Sequence, residues 1–493
     1  MKKFLVAGLI FALFFASACS PTETAVITET VTPADSADTE APAEETISAD
    51  WMCSTQNDPW QACDPVPVVS EGSSKADITI DTTKLKQEVT GFGGAFNEKG
   101  WEALSVLTPE EKDAVIAAMF DPVDGAKFNL GRVPIGASDY AVSRYTLNET
   151  DGDYEMNDFS IDRDKENLIP YIKAAMAYQP NLKVWGSAWT PPAWMKTNGD
   201  YDGGSMKDDP KVYDAYALYL QRFVEAYQAE GINLYAVAVQ NEPDIERNYP
   251  TCLWKPAQIR TFVAEHLGPL FEANNVDAEI MLGTFDDGKF VKYPKLLNDA
   301  DVNKYTSIVG YQWSGLDAVA QTRSMFPDKQ IYQTETKCGN HNWEPGYNPD
   351  RPPNDWAYGI YTWNLIKDYF DQGVNAYFLW NMVLDEEGKS IDSQNPWPQN
   401  AAITVDKSTG KVTCTPMFYA FKHFTYYVAP GARYVDIARA EDAVAFLNPD
   451  GSLVIELQNQ NAQPKTVTIS ADGQTLTVQL PAMSWSTLMI PGH

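Results

Sequence analysis

The sequence predicts an α/β protein in which a TIM (β/α)8 barrel carries a flanking antiparallel β-sandwich. From residue 90 to residue 404, short apolar or β-rich runs alternate with amphipathic, helix-like stretches. Such alternation predicts parallel strands joined by crossover helices, and eight units over roughly 290 residues are the size of a TIM barrel. From residue 405 to residue 493 the runs become short and alternating, which predicts antiparallel strands.

Eight runs are the predicted barrel strands. They are TGFGGAF (90–96), KFNLGRVPI (127–135), LKVWGSAW (182–189), LYAVAVQ (234–240), EIMLGTF (279–285), SIVGYQW (307–313), QIYQTE (330–335) and AYFLWNM (376–382). Helical stretches between them, such as TPEEKDAVIAAMF, open with Thr, Asp or Pro, which are favoured at helix N-termini. A closed barrel would bring the C-terminal ends of all eight runs to one mouth.

The predicted sandwich draws on both ends of the chain. Asp450-Gly451 and Asp472-Gly473 stand between apolar runs and predict hairpin turns. Residues 75–89 are expected to add one or more strands. Residues 51–74 are predicted to be a short N-terminal segment, in which Cys53 and Cys63 are candidates for a disulfide loop.

The first residues, MKKFLVAGLIFALFFASACS, predict export. Two lysines, an apolar run and small residues before Cys19 indicate a signal peptide over residues 1–18. ASAC resembles the bacterial lipobox, which makes Cys19 a lipidation site, and Ser20 favours the outer membrane. The alternative is cleavage by ordinary signal peptidase. Residues 19–50 are acidic and rich in Thr, Ala and Pro, which predicts a flexible tether holding a periplasmic or cell-surface domain.

Composition excludes several classes of function. A formal net charge of −30 argues against a nucleic-acid partner. Cys252, Cys338 and Cys414 lack metal-ligand spacing, and with only four histidines in the chain we expect no metal and no cofactor. No protein partner is predicted, and a β-linked glucan or glucoside is the expected ligand.

Two glutamates follow predicted barrel strands and are the candidate catalytic residues. Glu242 comes after the fourth run and Glu335 ends the seventh. Two carboxyl groups at one barrel mouth are typical of glycoside hydrolysis, in which one serves as acid and base and the other as nucleophile. Asn241 would hydrogen-bond a sugar hydroxyl. The alternative for Glu242 is a solvated turn residue, since Asn-Glu-Pro is an ordinary turn composition.

Aromatic residues support a sugar ligand. Trp189, Trp313 and Trp380 lie at or close to the ends of predicted strands, where an indole can pack on the apolar face of a sugar ring. A single tryptophan more often belongs to the core than to a ligand site, but three at strand ends are harder to assign to the core. Arg132 in the second run is expected to pair with a carboxylate, either as a purely structural ion pair or to orient Glu335.

Six ordered motifs resemble glycoside hydrolase family 30, whose members include glucosylceramidases and β-1,6-glucanases. They are GFGGAFNEKG, GRVPIGASDYAVSRYT, SAWTPPAWMKTNG, AVQNEPD, QTETKCGN and LWNMVLDEEG. The resemblance implies a retaining enzyme with Glu242 as acid/base and Glu335 as nucleophile. It also implies a sugar-binding subsite formed by Asp139, Trp189, Asn241, Trp380 and Asn400, and Trp313 is a further candidate.

One motif departs from the glucosylceramidases of that family. They commonly have His-Trp-Tyr after the sixth strand, where this chain has Gln312, Trp313 and Ser314. The departure favours the β-1,6-glucanase branch. The expected function is therefore retaining hydrolysis of β-glucosidic bonds. The alternatives are a β-xylosidase of the same family and a surface glycan-binding lipoprotein that does not hydrolyse its ligand.

Overall fold

The structure is a computed structural model and describes residues 47–70, 75–286, 292–437 and 440–492. The predicted signal peptide, Cys19 and most of the predicted tether lie outside these ranges. Within them, no helix combines the length and the apolar character that a membrane span requires. Strand β1 (Ser48–Thr55) includes the last three residues of the segment predicted as a tether.

The residues before the barrel form strands of the sandwich. After β1 come β2 (Gln61–Pro67), β3 (Val69–Ser70), β4 (Ile78–Ile80) and β5 (Leu85–Glu88). Strands were expected only from residue 75 onwards. Pro65 and Pro67 conceal β2 in the sequence, but β2 is an edge strand, where a missing N–H donor is tolerated. The short N-terminal segment therefore contributes strands to the sandwich.

Cys53 and Cys63 lie on β1 and β2, which pair antiparallel with Cys53 opposite Gln61. Both are free thiols in the structure, as are Cys252, Cys338 and Cys414. The Cys63 thiol donates to the Gln61 carbonyl at 3.7 Å, and burial raises the pKa of Cys53 to about 11. The disulfide is thus not formed here, although the two sulfurs are neighbours, and it stays a prediction.

Eight parallel strands close into the barrel. They are β6 (Gly91–Ala95), β7 (Leu130–Ile135), β8 (Lys183–Ala188), β9 (Leu234–Ala238), β10 (Glu279–Phe285), β11 (Thr306–Gln312), β12 (Gln330–Thr336) and β13 (Ala376–Asn381). All eight predicted strands are confirmed, and β13 pairs with β6 to close the barrel. A side chain at Gly93 would meet the Leu130 carbonyl oxygen at 1.8 Å, so glycine allows β6 and β7 to pair.

Helices surround the barrel, and several of them begin at the Thr, Asp or Pro residues that predict a helix N-terminus. They are α1 (Glu98–Ala103), α2 (Pro109–Phe120), α3 (Leu168–Tyr178), α4 (Pro210–Ala229), α5 (Pro256–Thr261), α6 (Gly268–Asn274), α7 (Ala300–Tyr305), α8 (Leu316–Met325), α9 (Trp356–Gln372) and α10 (Pro416–Tyr427). Thr108 and Glu111 form a capping box at α2, and Asp209 and Asp355 cap α4 and α9.

The chain after the barrel strands completes the sandwich. Strands β14 (Val383–Asp385), β15 (Ile403–Asp406) and β16 (Lys411–Cys414) come first and lie outside the sandwich. The sandwich strands are β17 (Arg433–Val435), β18 (Ala443–Leu447), β19 (Leu453–Asn459), β20 (Lys465–Ala471), β21 (Gln474–Leu480) and β22 (Ser484–Ile490). One sheet has the order β2-β1-β22-β19-β18-β17-β5, and the other has the order β3-β21-β20-β4. Both predicted hairpins form, and pairing is antiparallel except between β4 and β20.

The expected boundary at residues 404 and 405 differs from the structure. Strands β14, β15 and β16 form a small sheet of their own, and α10 then packs along α9 on the outside of the barrel. The short runs after residue 405 begin with β16 and suggested that the sandwich starts there. Helix α10 instead belongs to the barrel, because its apolar face packs against the barrel.

A buried polar network joins α10 to the seven-stranded sheet. His423 on α10 contacts the hydroxyl groups of Thr487 at 2.7 Å and Ser54 at 2.9 Å. Thr487 also donates to Glu456 at 2.8 Å. Both ionisable groups are fully buried, and burial raises the pKa of Glu456 to about 8 and lowers that of His423 to about 3.

We expect Glu456→Gln to flatten the pH dependence of stability between pH 5 and pH 8. Because the folded-state pKa of Glu456 lies above its unfolded value, its contribution is complete below the unfolded pKa and is lost as the pH rises towards about 8. At about 1.4 kcal/mol per pKa unit, the loss amounts to a few kcal/mol. Thermal unfolding across this range measures it. The exposed Glu441→Gln is the control, and parallel curves for wild type and Glu456→Gln would contradict the assignment.

Candidate active site

Glu242 and Glu335 lie together at the C-terminal mouth of the barrel. Glu335 is the penultimate residue of β12, and Glu242 follows the end of β9 by four residues. The backbone holds Glu242 at a φ of 45°, and its N–H donates to the Thr284 carbonyl at 3.0 Å. A non-glycine residue with positive φ needs such support. Both carboxyl groups line one cavity of about 200 Å³.

Glu335 is held by two donors. The Arg132 guanidinium reaches Oε2 at 2.6 Å, and the Trp313 indole N–H donates to Oε1 at 2.6 Å. Burial raises the pKa of Glu335, while Arg132 and Trp313 oppose that rise by stabilising the carboxylate. Glu335 is therefore the carboxyl group of the pair whose charged form the protein supports.

Arg132 lies on β7 with no exposed surface. Besides Glu335, it donates to Asn241 Oδ1 at 2.7 Å and to the Thr334 carbonyl at 3.2 Å. Its guanidinium carbon stands 4.5 Å from the ring centre of Trp189 and 5.3 Å from that of Trp380. Orienting Glu335 was one of the two roles expected of Arg132 from the sequence, and the contact between the two side chains is of that kind. The same guanidinium also holds the side chain of Asn241.

Glu242 has a different environment. Burial and the negative charges of Glu335 and Asp286 raise its pKa well above the ordinary value, and the neighbouring Gln312 amide opposes this only in part. Among the residues that the structure describes, no lysine or arginine forms an ion pair with Glu242. The pKa of Glu242 is therefore raised with little opposition, whereas Arg132 and Trp313 oppose the rise at Glu335.

The predicted sugar-binding residues largely surround the same cavity. Asp139 and Trp189 line it, and Trp380 stacks on Trp189 with ring centres 5.2 Å apart. Asp139 Oδ1 and Trp380 Nε1 are buried without a hydrogen-bond partner among the described residues. Buried polar atoms normally have partners. An acceptor and a donor left open beside two carboxyl groups suit the hydroxyl groups of a sugar.

Two family models match the chain. The Glycosyl hydrolase family 30 TIM-barrel domain matches residues 89–428, and the Glycosyl hydrolase family 30 beta sandwich domain matches residues 431–488. The chain belongs to glycoside hydrolase family 30. It is an O-glycosyl hydrolase, and both the resemblance noted in the sequence and the predicted fold class are confirmed.

Relatives of this family 30 chain fall into two groups by name. It is similar to the lysosomal acid glucosylceramidase of Mus musculus, with 28% identity over 80% of this chain and 79% of that protein. It is also similar to the endo-1,6-beta-D-glucanase neg1 of Aspergillus fumigatus, with 25% identity over 84% of this chain and 88% of that protein. Among solved structures, the endo-beta1,6-glucanase BT3312 has a TM-score of 0.78 at 24% identity, covering 90% of this chain and 100% of that one.

Asn400 is the predicted site residue that the structure does not bring to the cavity. Its amide donates to the Pro353 carbonyl at 3.0 Å, and its Oδ1 accepts from the N–H of Ala401 at 2.9 Å. It lines a neighbouring surface pocket instead. One end of the side chain thus holds the segment before α9 and the other holds its own loop, and the sugar-binding role that the motif implies for Asn400 stays a prediction.

Several cavity residues were not found from the sequence. They are Ile245, Arg247, Tyr249, Asp286, Ser314, Lys337, Trp343 and Trp397. Trp343 and Trp397 lie in Asn- and Pro-rich loops after β12 and β13. A tryptophan in such a loop is the feature of the sequence that could have identified them as binding residues. As for metals, the described residues contain no cluster of three or more His, Cys, Asp or Glu side chains placed to hold an ion.

Trp313→Phe removes the N–H that donates to Glu335 and keeps an aromatic ring. Without that donor the pKa of Glu335 rises, so we expect the acidic limb of the kcat/KM profile to move to higher pH. Since a hydrogen bond to a charged group contributes about 1.5–3 kcal/mol, kcat/KM should fall about tenfold to a hundredfold. The measurement is hydrolysis of an aryl β-glycoside from pH 4 to pH 9. Trp101→Phe, on α1 outside the cavity, is the control, and an unshifted limb in Trp313→Phe would contradict the role given to the N–H.

Proposed function

We propose that this family 30 enzyme hydrolyses β-glucosidic bonds with retention of configuration, using Glu335 as nucleophile and Glu242 as acid and base. The observation that carries the proposal is the unequal environment of the two buried carboxyl groups. Glu335 is paired with Arg132, whereas burial and neighbouring negative charge raise the pKa of Glu242 well above its ordinary value. Pairs of carboxyl groups pushed apart in pKa in this way divide the roles of base and acid between them.

The reaction would proceed in two displacements. A Glu335 oxygen attacks the anomeric carbon, the bond to the leaving oxygen breaks, and that oxygen takes the proton of Glu242. A water molecule then attacks the same carbon, gives its proton to Glu242 and releases Glu335 as a carboxylate. Each step inverts the carbon once, so the product keeps the β-configuration.

The substrate we propose is a β-1,6-linked glucan. The curated relative from Aspergillus fumigatus has that activity in its name, and Ser314 replaces the tyrosine that glucosylceramidases commonly have at this position. Glucosylceramide is the second candidate, because the mouse relative is named a glucosylceramidase. A panel of β-1,6-glucan, β-1,3-glucan, glucosylceramide, aryl β-glucoside and aryl β-xyloside distinguishes these substrates.

Glu335→Gln should abolish turnover of the preferred substrate, with kcat falling about a thousandfold or more, because an amide cannot form the glycosyl ester. Product release from the panel measures this, and proton NMR of the first product tests retention. An α-anomer as the first product, or full activity in Glu335→Gln, would contradict the assignment.

Two further variants make that experiment specific. Glu110→Gln, an exposed position in the first turn of α2, is the matched control and should behave as wild type. Glu242→Gln should still cleave a dinitrophenyl β-glucoside, whose leaving group needs no proton, and its rate should no longer fall on the alkaline side. If the alkaline limb persists in Glu242→Gln, Glu242 is not the acid.

We also propose that the enzyme is exported and held at the outer membrane through a lipid on Cys19. The residues before Cys19 support this, and the acidic segment after it would give the catalytic domain reach. Cys19→Ser should move the protein from the membrane fraction to the soluble fraction while kcat/KM stays the same. Membrane association unchanged by Cys19→Ser, compared with Ser20→Ala as control, would contradict the proposal.

A further inference from the structure

A continuous aromatic cluster leads from the nucleophile to the surface. Trp313 donates to Glu335, and Trp397 stacks on Trp313 with ring centres 5.6 Å apart. Trp343 follows Trp397 at 5.1 Å. His341 lies 4.6 Å from Trp343 with the two rings parallel to within 1°. We call Trp343 and Trp397 the aromatic rim, and both line the same cavity as the two glutamates.

Trp343 is exposed and yet fixed. Trp343 has 54% of its surface exposed, which is unusual for tryptophan. The stack on the buried His341 supports one face. Glu344 anchors the same turn by accepting from the His341 N–H at 3.0 Å and from the Tyr361 hydroxyl at 3.0 Å. An aromatic surface held in place at a cavity mouth is preorganised to receive a ligand.

The chemistry around the rim suits a second sugar ring rather than lipid chains. Asp286, Lys337 and Arg247 line the same cavity and offer charged hydrogen-bonding groups beside the indole rings. A sugar presents an apolar face to the indoles and hydroxyl groups to the charged groups. Alkyl chains would need a continuous apolar surface. Among the described residues, the exposed large aliphatic side chains are Val69, Leu85, Val106, Val123, Val142 and Met325, and none of these lines the cavity.

We propose that Trp343 and Trp397 form the subsite for the leaving group and select a sugar as the group that is released. This inference rests on the proposed function and extends it, because it names the residues that distinguish a glucan from a glucolipid. The deep residues around Glu335 hold the glucosyl unit whose bond is cleaved. The rim contacts the next unit of the chain, which departs with the proton of Glu242.

Comparing two leaving groups tests the rim. Wild type, Trp343→Ala and Trp397→Ala are assayed on a β-1,6-linked glucotriose and on β-glucosyl fluoride, which has no ring beyond the glucosyl unit. We expect kcat/KM on the trisaccharide to fall about tenfold in each variant, the effect of losing one stacking contact, and the value on the fluoride to fall several times less. Trp343→Phe should recover most of the loss. Tyr347→Ala is the control, because Tyr347 is exposed on the same loop outside the cavity.

Three outcomes would overturn the inference. Equal losses on both substrates would mean that the rim supports the glucosyl site or the fold rather than the leaving group. No loss on the trisaccharide would mean that the rim does not contact it. A larger loss on glucosylceramide in detergent micelles than on the trisaccharide would assign the rim to a lipid.

A binding measurement separates failure of the rim from failure of the proposed function. In the Glu335→Gln background, calorimetry with β-1,6-linked glucotetraose should show about tenfold weaker binding when Trp343 is also replaced by Ala. If wild type cleaves no β-glucosidic bond, the proposed function is wrong, and the rim is still judged by this difference. Equal affinity of the single and double variants would overturn the rim assignment itself.

Discussion

The ion pair between Arg132 and Glu335 is the constraint on which the active site depends. Both groups are buried, and removing two charges from water costs several kcal/mol for each ion unless hydrogen bonds replace the lost solvation. Here the replacements come from different strands. Arg132 on β7 reaches Glu335 on β12, the Thr334 carbonyl beside it, and Asn241 after β9, while indole faces cover the guanidinium. Only a closed barrel brings β7, β9 and β12 to one centre.

Residues at the ends of barrel strands could be predicted from the sequence, because a strand's register fixes where its last residue points. Glu242, Glu335 and Trp189 are of this kind, Arg132 lies within β7, and the structure brings the four together. Loop residues could not be placed in this way. Asn400 was assigned by motif and lies away from the cavity, bonded to Pro353 and Ala401, whereas Trp343 and Trp397 were not assigned although they line the cavity. A loop's path depends on packing that has no sequence period. The edge strand β2 was not predicted for a related reason: it contains prolines, and its apolar and polar residues do not alternate.

The residues for the chemical step lie on the barrel strands or directly after them, whereas the residues proposed for substrate specificity lie in the loops. The strands hold the carboxyl groups, the arginine and the deep tryptophans through contacts that a change in one loop would leave intact. The loops after β12 and β13 supply the rim, and Glu344 and His341 hold its outer tryptophan from within one of them. A barrel arranged in this way can change its leaving group by changing loops while the two carboxyl groups stay where they are.

The coupling between the two glutamates has a further consequence for the proposed reaction. The negative charge of Glu335 is one cause of the raised pKa of Glu242, so the proton that Glu242 donates is held partly by its neighbour. When Glu335 forms an ester with the glucosyl unit, that charge is gone and the pKa of Glu242 falls. Glu242 then favours its carboxylate form at the moment when the second step needs a base to take a proton from water. Hydrolysis restores the charge on Glu335, which raises the pKa of Glu242 again. The two carboxyl groups thus influence each other's protonation through the cycle, and Arg132 favours the charge on Glu335 over that on Glu242 because it forms its ion pair with Glu335.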